Sequence, residues 1–190
     1  AYDCYTTPAA HAWAQRLGAR QLTWLEHALR TSGAPLKIVV GHYPLYSSGP
    51  HGLEAVIQAH LRCWLEPLLT EAAYGAQVYL AGHEHLFEVT PPMRQRRLCS
   101  PDQGGVIHMT SGAAGRLSQV EIPHPPYPRW TALAQHHYVR FDWAERHQVL
   151  HYTVKDTYGM VVGYGTIPAR RSPCDASWTT SDHSSAIAHW

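Results

Sequence analysis

Two short stretches of this 190-residue chain carry side chains that could do chemistry: Gly41-His42-Tyr43-Pro44 and Gly82-His83-Glu84-His85. A neutral imidazole offers a nitrogen lone pair in a direction fixed by its ring, which suits divalent and trivalent metals. Each motif closes an apolar run, and the glycine before each histidine lets the backbone turn sharply out of a strand. His83 and His85 are two residues apart, so an extended segment would project both to one side, toward one metal or two adjacent ones. One Gly-His step after a strand is usually an ordinary loop. Two after successive strands, the second extended to Gly-His-x-His, form the signal.

The elements that must position these residues follow from periodicity. Leu22, Leu25 and Leu29 recur at helical spacing within residues 19–31, with Trp24 and Ala28 widening the face, and Gly33 marks the end. Residues 36–40 are a β-branched run without polar alternation, the pattern of a strand covered on both faces, and they deliver Gly41-His42. Leu53, Val56, Ile57, Leu61, Trp64, Leu65 and Leu68 form a second helical stripe, with Pro67 marking a kink or an end. Residues 77–81 are a second strand, again ending in Gly-His. Helix, strand, helix, strand is the order of parallel crossover units. Residues 86–104 read as a strand and a loop containing an Arg-Gln-Arg-Arg stretch, and residues 105–110 as a strand ending at Ser111-Gly112. After a Pro-rich interruption at 123–128, residues 137–143, 148–155 and 160–167 read as an antiparallel meander at a sheet edge. Open α/β sheets place ligands at the C-terminal ends of their strands, so the functional content falls between residues 41 and 112. Residues 1–170 are expected to form the domain, and 171–190 a polar extended tail.

Composition narrows the function classes. With 45% hydrophobic residues the chain can bury a real core. Fifteen basic residues against 14 acidic ones give a net charge of +1, which marks neither a nucleic-acid groove nor a polybasic membrane surface. No apolar run is long enough to span a membrane. Cys4, Cys63, Cys99 and Cys174 show no CxxC pairing, which leaves a zinc ribbon or a thioredoxin-like site unsupported. The sequence contains no asparagine, so it has no N-glycosylation sequon and no Asn ligand.

The two histidine motifs, with Gln21-Leu22-Thr23-Trp24-Leu25, Tyr74-Gly75, Tyr79-Leu80-Ala81 and Ser111-Gly112-Ala113-Ala114-Gly115, make residues 21–168 resemble the purple acid phosphatases. The likeness is strongest to the small tartrate-resistant type, within the calcineurin-like metallophosphoesterases. The resemblance implies the C-terminal half of a metallophosphoesterase α/β sandwich, with parallel crossover units followed by antiparallel edge strands. It also implies a dinuclear centre, Fe paired with Fe, Zn or Mn, hydrolysing phosphate monoesters. His42 and His83 would bind the divalent ion and His85 the ferric ion. His51 would contact the substrate phosphate or protonate the leaving group, although Pro50 stands where the family has an acidic residue. Glu84 replaces the Asp most often found between the motif histidines. Two metals about 3.5–4 Å apart clamp the ester and stabilise the leaving oxygen.

The family's other metal motifs, GDxG, GDxxY and GNH, are absent, and none of the six Asp residues follows a glycine at the end of an apolar run. Three imidazoles without a bridging carboxylate hold one metal or none. The isolated chain is therefore expected to be inactive, with its partner the missing N-terminal half, as a separate or unassigned polypeptide. The alternatives are a catalytically inactive scaffold subunit of a larger assembly, and a mononuclear metal- or phosphate-binding module. The strand near Tyr2-Asp3 reads as the continuation of a sheet whose other strands lie upstream. Cys4 and Cys63 lie near positions bridged in secreted members of the family, which implies a secreted or lysosomal/vacuolar location. Two buried free thiols are the other reading of this pair.

Overall fold

The structure, a computed structural model, describes residues 8–49, 55–117 and 131–169. The expected strand near Tyr2-Asp3, the Pro-rich stretch at 123–128, the tail at 171–190, Cys4 and His51 lie outside the described residues.

The first helix, α1 (Pro8–Thr31), begins earlier than its leucine stripe suggests. Leu29 is buried and Leu25 packs against the same core, whereas Trp24 is 68% exposed and lies off the packed stripe. Strand β1 (Ile38–Val40) follows, then α2 (Ala55–Trp64) and α3 (Glu66–Leu69). The break expected at Pro67 falls at Leu65, between α2 and α3, and Pro67 occupies the first turn of α3, where its missing N–H has no intrahelical partner to lose. Next come β2 (Val78–Ala81), β3 (Phe87–Val89), a short hairpin of β4 (Met93–Arg94) and β5 (Arg97–Leu98), and β6 (Ile107–Ser111). The chain closes with β7 (Thr131–Leu133), β8 (His137–Ala144), β9 (Val149–Asp156) and β10 (Val161–Pro168).

Strands β1, β2 and β6 are parallel, and β3 and β7 extend the sheet antiparallel, in the order β1-β2-β6-β3-β7. The expected meander is present as β8, β9 and β10, but it forms its own three-stranded sheet, while the antiparallel edge of the larger sheet is built by β3 and β7.

Alternate residues of β2 explain its uninterrupted apolar run. Tyr79 and Ala81 join Leu29, Leu45, Leu69 and Met93 on the helical side, while Val78 and Leu80 pack with Met109, Leu150, Val154 and Ile167 on the meander side. The strand is thus sandwiched between two layers. Strand β1 has the same composition but departs from the expectation of two covered faces: Val39 packs on the helical core, whereas Ile38 and Val40 are 40% and 69% exposed. Among the described residues β1 is the terminal strand of the sheet, paired on one side only, with β2.

Candidate metal centre

The parallel pairing of β1 and β2 continues one step past both strands: the Gly41 N–H donates to Leu80 O at 2.9 Å and the Gly82 N–H to His42 O at 3.0 Å. This carries His42 and His83 out at the same level. Their ring centroids are 5.3 Å apart at 75°, and the Tyr43 ring lies 4.3 Å from His83 and 4.9 Å from His42. His42 is exposed and His83 half-buried.

The two glycines act differently. A Cβ on Gly41 would stand 2.1 Å from the Tyr79 hydroxyl, which donates to Tyr43 O at 2.9 Å and props the turn from below. Burial pushes that phenol up to about 12. A Cβ on Gly82 would meet nothing closer than 3.9 Å; the sharp turn there is made by His83 itself, at φ 62°. Residues 83–86 form a bend rather than an extended segment, so the two-residue spacing does not itself align His83 with His85. His85 is half-buried.

Three loops are locked together around this pair. Glu84 is fully buried, with its carboxylate packed where a Cβ on Gly49 would stand, 2.6 Å from Oε2. Its carbonyl oxygen would lie 2.0 Å from a Cβ on Gly112, so only glycine fits the start of the turn after β6. From β3, the buried Glu88 accepts the Ser48 N–H at 3.0 Å and the Ser48 hydroxyl at 2.7 Å, pinning the loop that follows His42. Two histidines absent from the sequence expectations hold the third loop. His136 Nδ1–H donates to Ala113 O at 2.9 Å. His137 Nδ1 faces Gln135 O at 2.8 Å and must donate, which leaves Nε2 to accept from the Ser111 hydroxyl at 3.0 Å. Burial holds His137 below the ordinary histidine range, consistent with that neutral tautomer. Glu84, Glu88, His136 and His137 meet partners far away in sequence, and no local pattern announces them.

Among the described residues, no three His, Cys, Asp or Glu side chains converge as a metal ion would require. The described donors therefore do not by themselves fit the dinuclear centre that the resemblance implies: His42 and His83 come together, and His85 does not complete a set with them.

The fold is a metallophosphoesterase-type α/β arrangement. A solved purple acid phosphatase from yellow lupin (Lupinus luteus) seeds superposes with a TM-score of 0.63 at 22% identity, covering 81% of this chain and 29% of that one. In sequence, the chain is 34% identical over 104 residues to tartrate-resistant acid phosphatase type 5 of Rattus norvegicus, which is 55% of this chain and 27% of that protein. It is 29% identical over 144 residues to the Homo sapiens protein of the same name, covering 76% of this chain and 34% of that protein. A probable inactive purple acid phosphatase 9 of Arabidopsis thaliana is 30% identical over 122 residues, 63% of this chain and 17% of that protein. No family model matches. In sequence and fold the chain is similar to purple acid phosphatases, and the likeness covers a C-terminal part of them. It spans about a third or less of the length of these curated relatives.

Proposed function

We propose that this chain contributes the C-terminal portion, residues 1–170, of a dinuclear-metal phosphoesterase that hydrolyses phosphate monoesters once an N-terminal half supplies the remaining ligands. His42 and His83 are ligands of the divalent ion and His85 of the ferric ion, with Fe, Zn or Mn as the partner of Fe. His51 contacts the substrate phosphate or protonates the leaving group. Residues 171–190 are a tail outside the domain. The observation that carries this reading is the His42–His83 ring pair, 5.3 Å apart at the C-terminal ends of two adjacent parallel strands.

Metal analysis of protein purified natively without chelators tests it. Two metals per assembled unit are expected, lost in His42→Ala and His83→Ala, together with phosphomonoesterase activity that needs the N-terminal polypeptide. Absence of metal would sink the reading.

A second reading is a catalytically inactive scaffold. It is favoured by the similarity to a probable inactive relative and by the lack of a converging ligand set among the described residues. A secreted or lysosomal/vacuolar location is supported by Cys63, which is disulfide-bonded, while Cys99 is free. The proposed bond is Cys4–Cys63. Non-reducing peptide mapping that links Cys63 elsewhere, or finds it reduced, would remove that support.

A further inference from the structure

The hairpin of β4 and β5 is a costly arrangement. Arg94 and Arg97 stand directly opposite each other in the ladder, and like charges so placed oppose pairing. Between them, Gln95 and Arg96 both take left-handed backbone, at φ 50° and 62°, in a two-residue turn that ordinarily demands Asn or Gly. Each strand is only two residues long, and an isolated hairpin of that length does not persist in water.

What holds it is a buried polar anchor from two other elements. Glu66 of α3, 3% exposed, accepts the Gln95 N–H at 2.8 Å and the Tyr46 hydroxyl at 2.6 Å through the same oxygen. The Tyr46 oxygen in turn accepts the Arg96 N–H at 2.9 Å. Fully buried Met93 plugs the base into the helical core and bridges to Val106. Strain and repulsion are thus concentrated at one tip and overruled from beneath, a pattern that points to function at the tip. Residues 94–98 are all exposed, and three of the chain's 15 Lys and Arg residues fall within four positions of a nearly neutral molecule. Arg94 also donates from Nη1 to Gln103 O at 3.1 Å, which uses one of the five donors of its guanidinium.

We propose that the β4–β5 hairpin binds a sulfated polysaccharide, with Arg94 and Arg97 as an opposed pair gripping a sulfate group and Arg96 on the turn between them. Guanidinium forks match tetrahedral oxyanions bidentately, and an anion between Arg94 and Arg97 converts their repulsion into two attractions. Because the turn is anchored in advance, little backbone ordering opposes binding. The disulfide at Cys63 favours an oxidising compartment, where the abundant polyanions are sulfated glycans. The inference does not depend on phosphatase activity.

Immobilised heparin is the probe, used on the full chain. Retention at physiological ionic strength is expected, with the slope of log affinity against log salt reduced by roughly 1–2 in Arg94→Gln/Arg97→Gln. The thermal midpoint should not fall in Arg97→Gln, where the like-charge pair is removed and the Arg94–Gln103 bond is kept. Arg97→Gln alone keeps the Arg94–Gln103 bond and should give about half the slope change. Tyr46→Phe removes an anchor without changing charge and should weaken binding through loss of preorganisation. An equal slope change in Arg146→Gln, an exposed arginine outside the hairpin, would overturn the proposal. So would failure of the wild type to be retained, or hairpin-dependent binding to duplex DNA of equal strength.

Discussion

His83 holds a left-handed backbone at φ 62°, a conformation uncommon for a residue with a Cβ. Its ring rests 4.3 Å from Tyr43, so two effects compete in any substitution there. His83→Ala loses the ring contact and keeps the strain; His83→Gly loses the contact and relieves the strain. The glycine variant is expected to be more stable than the alanine variant by about 1 kcal/mol in urea unfolding, the reverse of the usual order. Equal midpoints would show that the turn carries no strain. Gly41 makes the complementary case. Gly41→Ala puts a methyl group against the Tyr79 hydroxyl and should cost about 1–3 kcal/mol, and Tyr79→Phe should recover part of it in a double-mutant cycle. The Gly-His steps were legible in the sequence because a turn must follow a strand. That Gly41 is required by a tyrosine one strand away, and that His83 rather than Gly82 bends the second turn, depends on tertiary neighbours that spacing does not encode.

Strand β6 carries His108 between the layers, and its ring lies 4.7 Å from Tyr46 and 6.0 Å from Tyr79. The side chain is 2% exposed, and neither ring nitrogen has a hydrogen-bond partner among the described residues. Burial therefore lowers its pKa to about 3. The unfolded chain takes up a proton near pH 6.5, before the folded one does. Stability from neutral His108 is thus fully present above about pH 6.5 and falls with acidification, by up to about 1.4 kcal/mol per pH unit, until the folded value is reached. His137, also lowered by burial, acts in the same direction. His108→Phe should flatten the decline between pH 6.5 and 4 in urea midpoints; an unchanged slope would place the acid sensitivity elsewhere. The helices and long strands around this core follow from period and β-branching. The β4–β5 hairpin and β7 do not: the first uses Gln-Arg where turn chemistry expects Asn-Gly, and the second is a three-residue strand that, among the described residues, joins the sheet through its pairing with β3.

At the scale of the whole molecule, the layering was readable from the unalternating strands, but which strand lies at the edge was not, because β1 and β2 have nearly the same character. The difference is purely spatial: Val78 and Ile38 are paired in register, yet Val78 is fully buried and Ile38 is 40% exposed, with Val40 at 69% two residues on. Among the described residues no strand pairs with the outer side of β1, and such an apolar parallel edge invites one. Under the proposed completion by an N-terminal half, that half continues the sheet beyond β1 and covers Val40. The effect of one substitution should then depend on how much of the protein is present. In this chain alone, Val40→Lys changes an exposed position and should shift unfolding free energy by less than about 0.5 kcal/mol, while reducing self-association measured by light scattering. In a protein that includes the N-terminal half, the same lysine would be buried at the strand interface and should cost several-fold more, with loss of bound metal following from the displaced edge. Equal and small effects in both contexts would show that β1 is a true outer edge and that any completing polypeptide docks elsewhere.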